Sequence, residues 1–368
     1  MNVNDIKTKV LTNAGNPDAI SKILEDNFTS LCLNQSLVVE LLDTLDVDKN
    51  LTATIYLCRI RSKGINSSTT SQLKSYLSTL SAVVDSCQKN PSKLDVFKNK
   101  LSEVFVLVAN LLCKRNQAKN GIVLMCNTIK LLQNSSSNST FTLLHSPLCQ
   151  LCIKSRNLKP AIKYLDTEIC LYKKEPNEIT SRSYLSFYYY GGLIYAMLKQ
   201  YDRSLYFFEQ AITVPAVSVS QIMSESYKRY MLVSLLYKGK VADLPKYTSA
   251  VMINYIKQSM NCYTKLNEAF QKRSIASFEE VFYKYENTFQ QDKNVGLINQ
   301  VKGCITLKKI QILSKTYSTL PLNNILERAQ LNCSDVDLEK KLSKMIKKEE
   351  IVGKIDQVIF VLYMIIHV

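Results

Sequence analysis

His145 and His367 are the only two histidines in 368 residues, and they lie in different segments. Neither belongs to an H-x-H or H-E-x-x-H pattern, the spacings that turn two ligands towards one metal ion. Cys149-x-x-Cys152 is the only CxxC, set in the apolar run LLHSPLCQLCI without a second CxxC or a βαβ setting. It therefore reads as two buried thiols at i and i+3 of one helix. Gly191-Gly192 lacks the G-x-x-x-x-G-K-[ST] or G-x-G-x-x-G frame of a phosphate loop and sits among aromatics, where glycine permits close helix packing. Tyr188-Tyr189-Tyr190 reads as core and seam rather than a ligand cage. Glu349 and Glu350 are neighbours on one expected helix, so their carboxylates point in different directions beside Lys347 and Lys348. We expect no catalytic constellation, no metal site and no cofactor.

Charge is the remaining chemistry, with 47 basic against 31 acidic residues and a formal net charge of +16. The lysines are spread over Lys93 to Lys119, Lys159 to Lys174 and Lys340 to Lys354, mostly at helical spacing. They suit solvated helix faces and acidic protein partners, with RNA binding by a basic helical protein as the alternative. Lys340, Lys341, Lys344, Lys347 and Lys348 crowd one helix, but Leu338, Leu342, Met345 and Ile346 commit its other face to a core. Without an Arg or Asn cluster for base edges, that helix can touch phosphate but is not expected to read a DNA sequence.

Helices must carry these residues. Only nine glycines and eight prolines occur, too few for a turn-rich all-β chain. Apolar residues recur at three- and four-residue spacing in Ile20 to Leu33, Leu37 to Leu45, Leu51 to Ile60, Leu73 to Val84 and Val104 to Leu112. The Ser/Asn/Thr runs at 66–71 and 134–140 read as exposed loops. Eleven cysteines without framework spacing, among them Cys32, Cys113, Cys126 and Cys170 in apolar helical patterns, indicate buried thiols in a reducing compartment. The opening MNVNDIKTKVL has no signal-peptide h-region. Cytoplasm and nucleus are the expected locations.

The helices repeat. Gly121 follows RNQAKN, Ala161 follows RNLKP and Ser204 follows KQYDR, at spacings of 40 and 43 residues, and a further turn at Lys238 to Pro245 comes about 40 residues later. Tyr188, Gly192, Tyr195, Tyr201, Ser204, Phe208 and Ala211 reproduce most of the tetratricopeptide spacing, with a turn at Lys199-Gln200. Such a helix pair cannot bury its apolar face alone, so neighbours must stack on it. From Lys308 the pattern changes to three short helices and then an extended signal at Ile351-Val352-Gly353, which suggests a winged-helix module.

The ordered set YYYGGLIY, LYFFEQAIT and GKVADLPKYTS resembles the family of subunit three of the COP-9 signalosome over roughly residues 145 to 355. The last three helices resemble the PCI module shared by the proteasome lid, the signalosome and translation initiation factor three. The resemblance implies an all-α chain: a right-handed helical-repeat solenoid of tetratricopeptide-like pairs, followed by a winged-helix PCI module. Its parts would be amino-terminal repeats over 1–140, tetratricopeptide-like repeats over 141–305, a partial winged helix over 306–357 and an apolar tail over 358–368. It also implies a non-catalytic scaffold subunit that supports removal of the ubiquitin-like modifier from cullins, and so regulates cullin-RING ubiquitin ligases. Partners would be other signalosome subunits, met through the winged-helix edge and a helical bundle, with no membrane and no specific nucleic acid. Candidate interface residues are Lys344, Lys348, Ile351, Val352, Lys354 and Ile355. A scaffold of the proteasome lid or of initiation factor three is the alternative within the same architecture.

After Gln357 the family pattern calls for a glycine-bearing turn, a second wing strand and a long helix. The sequence instead reads VIFVLYMIIHV, too short to span a bilayer and without a turn residue. We expect this tail, as from a translated intron or an alternative transcript end, to leave the wing incomplete, with an aggregation-prone edge and poor incorporation into a complex.

Overall fold

In the computed structural model the described residues are 8–10, 12, 17–64, 70–89, 91–134, 141–167, 180–317, 319–329, 334–347, 351–356 and 361–364. The expected positions Cys170, Lys348, Glu349, Glu350 and His367 and the loops at 66–69 and 135–140 lie outside them. The protein consists of helical repeats followed by a winged-helix module, and it divides into two compact units, residues 1–197 and 198–368. The division falls at the turn that joins Tyr195 to Tyr201. No helix of the described residues is long and apolar enough to cross a membrane.

The first unit opens with α1 (Pro17–Asp26), α2 (Phe28–Leu33) and α3 (Gln35–Thr44), laid against α4 (Leu51–Gly64). The apolar periodicity over Ile20 to Leu33 suggests one helix. Asn27 divides it, with φ −102° and ψ 16°, and its side-chain amide donates to the Ile23 carbonyl at 2.8 Å. Ala53, Ile55, Leu57, Cys58 and Ile60 are all buried, so α4 is apolar nearly all round and serves as the axis of this core. Its polar residues are matched to partners. Arg59 forms a two-point ion pair with Glu103 at 3.0 Å, Arg61 donates to Gln35 Oε1 at 3.0 Å, and the Cys58 carbonyl accepts from the Tyr76 hydroxyl at 2.8 Å. The unit continues with α5 (Thr70–Lys89), α6 (Pro91–Lys114), α7 (Lys119–Asn134), α8 (His145–Ser155), α9 (Lys159–Leu165) and α10 (Ser181–Met197).

One turn geometry marks the repeat. Asn116, Arg156 and Lys199 have φ of 55°, 58° and 61°, and each lies five residues ahead of the small residue Gly121, Ala161 or Ser204. At the first two turns the hydrogen bonds form a Schellman motif. The Gln117 amide reaches the Leu112 carbonyl at 3.0 Å, and the Asn157 amide reaches the Cys152 carbonyl at 3.1 Å. The small residue then lets the next helix approach. A Cβ on Gly121 would stand 2.4 Å from Leu112 Cδ1 and 3.3 Å from Leu151 Cδ1, while Ala161 and Ser204 have no exposed surface.

The second unit begins with α11 (Tyr201–Thr213), packed along α12 (Gln221–Tyr237), followed by α13 (Ala250–Ser259), α14 (Asn261–Gln271), α15 (Ile275–Lys284), α16 (Glu286–Gln291) and α17 (Val295–Thr316). Ser220, Ser249 and Ser274 cap α12, α13 and α15, each hydroxyl accepting the amide three residues on. The left-handed turn returns at Gly239, Arg273 and Lys293. A single charge network ties these helices together. Asp292 accepts from Lys228 Nζ at 2.6 Å and from the Tyr263 hydroxyl at 2.7 Å, Glu225 takes Lys228 and Arg229 at 2.8 and 2.6 Å, and Asn294 donates to the Tyr263 oxygen. The four charged side chains are 12–20% exposed, so each is largely withdrawn from water and must be matched.

Candidate interaction site in the winged-helix module

α17 runs out of the helical core, where it places Ile298, Val301 and Ile305, into a second core that begins at Ile310. There it meets β1 (Thr319–Pro321), α18 (Leu322–Ala329) and α19 (Asp335–Lys347). Leu320, Leu322, Ile325, Leu338, Leu342, Met345 and Ile351 fill this core. The sequence dictates the start of α19: the Ser334 hydroxyl accepts the Asp337 amide and donates to the Asp337 carboxylate at 2.9 Å. Acids in the first turn and Lys344 and Lys347 in the last both suit the helix dipole.

β2 (Gly353–Asp356) and β3 (Val361–Met364) complete a three-stranded sheet of order β1-β3-β2, antiparallel throughout. This corrects the expectation that the apolar tail leaves the wing incomplete. Asp356 stands opposite Val361, so the two strands pair although the sequence between them holds no glycine. The run rich in β-branched and aromatic residues supplies the middle strand, paired on both sides, with Leu362 opposite both Leu320 and Ile355.

Two edges remain. β1 carries Pro321, which has no amide to offer. β2 has no proline, and its outer side is unpaired among the described residues. A strand edge of this kind accepts a further strand through main-chain hydrogen bonds. Around it, Lys344 and Lys354 are exposed and Val352 is 41% exposed. Ile351, at 4%, belongs to the core, and Ile355 packs against it, so these two support the edge from beneath. Lys348 is outside the described residues. The identity of the open edge was not readable from composition, since it depends on which strand β3 sits beside.

The repeat-packing residues fall in both units. Tyr188 is half-buried against Tyr184 and Phe187, Gly192 is buried, and the buried Tyr195 hydroxyl donates to Asp166 at 2.6 Å. In the second unit Tyr201 is half-buried, 6.3 Å from the Tyr237 ring, and Ser204, Phe208 and Ala211 are fully buried.

Among the described residues, Cys149, Cys152 and His145 are packed in the interior of the first unit. Cys149 and Cys152 are buried neighbours on α8, and burial pushes the Cys152 thiol up to about 12 and Cys149 upward as well. His145 is 3% exposed, with Nδ1 accepting the Thr142 amide at 3.0 Å and its ring stacked on Phe141. Burial lowers its pKa to about 4, so the ring is neutral near pH 7. No group of three or more His, Cys, Asp or Glu among the described residues is placed to hold a metal ion. An open groove of about 450 Å³ in the first unit is lined by Asn110, Gln150, Arg182, Ser183, Tyr190 and Glu103, whose carboxylate is already held by Arg59.

A profile described as "COP9 signalosome complex subunit 3, N-terminal helical repeats" matches residues 14–252, and the PCI domain profile matches residues 282–364, a span that includes both wing strands. The chain is 29% identical to the COP9 signalosome complex subunit 3 of Drosophila melanogaster over 371 aligned positions, covering 96% of this chain and 81% of the relative. It is 28% identical over 282 positions to the protein of the same name from Dictyostelium discoideum, covering 75% and 67% respectively.

Proposed function

The chain belongs to the COP9 signalosome complex subunit 3 family, and from this we propose that it acts as a non-catalytic scaffold subunit of the signalosome. Through the assembled complex it supports removal of the ubiquitin-like modifier from cullins and thereby regulates cullin-RING ubiquitin ligases. The observation that carries the reading is the winged-helix module, built on its own core and leaving the β2 edge free for a strand of a neighbouring subunit. Stacked helix pairs add extended surface, and such folds work by shape and surface chemistry rather than by reactive groups. The complex would operate in cytoplasm and nucleus.

Affinity purification of the tagged chain from its own cells, with mass spectrometry and an assay for cullin modifier removal on the eluate, tests this. Recovery of other signalosome subunits together with that activity is the expected result. Recovery of proteasome-lid or initiation-factor subunits instead, or of the chain alone, overturns it.

A further inference from the structure

The partly buried basic side chains of this protein generally meet an oxygen. Arg59 pairs with Glu103, Lys100 with Glu25, Lys228 with Glu225 and Asp292, Lys302 with Glu279, and Lys309 donates to the Ala329 carbonyl at 3.0 Å. Lys308 departs from this pattern. It is half-buried, and among the described residues no carboxylate or carbonyl is matched to it; the half-buried Lys265 has at least the Tyr285 hydroxyl, at 3.3 Å.

Three segments of the second unit set its position. The Lys308 ammonium, from α17, lies 5.2 Å from the centroid of the Phe270 ring of α14. Its Nζ also fills the space that a side chain at Gly239 would enter, though as the far end of a flexible side chain it can give way. Gly239, with φ +71°, supplies the left-handed turn beside which the ammonium lies. Gln271 Nε2 donates to the Gly239 carbonyl at 3.3 Å and joins the end of α14 to the same turn. Burial first, and then the neighbouring Arg273 charge, hold the Lys308 pKa below its usual value, with only the Cys304 thiol acting the other way. Lys238 and Lys240 flank Gly239 and Lys272 precedes Arg273, all of them exposed. A cation partly withdrawn from water beside a second cation is an arrangement that an incoming anion relieves.

We propose that the Gly239 turn, with Lys308 and Arg273, is a docking point for a carboxylate-bearing segment of a partner protein. A phosphate group fits it less well. The amides of Lys238 and Gly239 both already donate to the Ser234 carbonyl, at 2.8 and 3.2 Å, so the turn presents no backbone nest for a phosphate. The adjoining Tyr237, 55% exposed, suits a chain in which acidic and apolar side chains alternate, while the buried Phe270 ring backs the ammonium from within. The site is formed by α14, α17 and the Gly239 turn and uses no residue of the β2 edge.

The test is fluorescence anisotropy of a labelled octaglutamate peptide titrated with the full chain at low salt. The double variant Lys308→Met with Arg273→Gln is expected to bind at least five-fold more weakly. Lys341→Gln with Lys344→Gln, which removes as much charge from α19, is expected to change affinity less than two-fold. Equal losses in both variants would mean diffuse attraction to a +16 chain and would overturn the proposal, as would no loss in the first. Displacement of the peptide by tripolyphosphate at lower concentration than by unlabelled octaglutamate would overturn the choice of ligand. Lys308→Met alone, measured without peptide, should melt no lower than the parent, because it deletes an unmatched charge and keeps an unbranched side chain over Phe270. A lower midpoint would show that the ammonium is a structural group rather than a binding one.

Discussion

His145 shows how a reactive residue type becomes a packing residue. Its Nδ1 accepts a buried main-chain amide, and its ring is enclosed by Phe141, Tyr164 and Phe187. Its pKa falls from 6.5 unfolded to about 4 folded, so the unfolded chain takes up the proton first as pH drops. Stability from this group is therefore complete above pH 6.5, declines as pH falls towards 4, and loses about 3 kcal/mol over that window. Urea midpoints at pH 7.5 and pH 4.5 measure it. His145→Phe should lower stability by about 1–3 kcal/mol at pH 7.5, where the Thr142 amide loses its acceptor. The same variant should flatten the decline, and an unchanged slope would exclude His145 as its source. The sequence made the absence of metal and redox spacing around this histidine and around Cys149 legible, because such chemistry needs fixed intervals. It could not indicate Asp292 or Lys308, whose roles come from neighbours 64 residues away at Lys228 and on the Gly239 turn.

The helix-pair turns were legible as a period, through the small residues Gly121, Ala161 and Ser204, while the residue that sets the backbone was not. Asn116, Arg156 and Lys199 hold left-handed conformations without being glycine, and each bears a steric cost of roughly 1 kcal/mol. Arg156→Gly should raise the melting temperature, by a gain of about 0.5–1 kcal/mol, and Arg156→Val should lower it, as calorimetry would show. Gly239 is the converse case. Gly239→Ala places a side chain at a left-handed φ and should destabilise by about 1 kcal/mol, as denaturant unfolding would show, while the Lys308 tip can move aside. Among the longer helices, α12 and α14 are linked through Asp292, which binds both Lys228 and Tyr263. Asp292→Ala leaves Lys228 largely buried with one partner fewer, and an expected cost of about 3–5 kcal/mol can be read from denaturant unfolding. The wing was half legible. Ile351-Val352-Gly353 announced extended structure, but the tail's missing turn residue suggested an end to the sheet, since a strand's place in the middle is decided by pairing with Thr319 to Pro321, some forty residues earlier.

Across the whole chain, the two cores of the second unit are separate sets of side chains joined by one helix. Met231, Tyr263, Phe270, Phe278 and Phe289 gather with Ile298, Val301 and Ile305 of α17, while the winged-helix core starts at Ile310. A chain ending after Ile305 therefore keeps every buried member of the helical core and loses only the module that carries the strand edge. Stacked helix pairs derive their stability from nearest neighbours, so a loss at one end should not propagate through the rest. Deleting residues 306–368 is thus expected to leave residues 1–305 helical and cooperatively folded, with ellipticity reduced by no more than the deleted helices α18, α19 and the end of α17 account for. Under the proposed function the same deletion should abolish co-purification with other signalosome subunits through the β2 edge. The acidic-peptide affinity of the Gly239 turn should also fall, since Lys308 is removed. A truncated chain that unfolds without a cooperative transition would show instead that the winged helix is a structural necessity for the repeats, and loss of partners could then no longer be assigned to the missing strand edge.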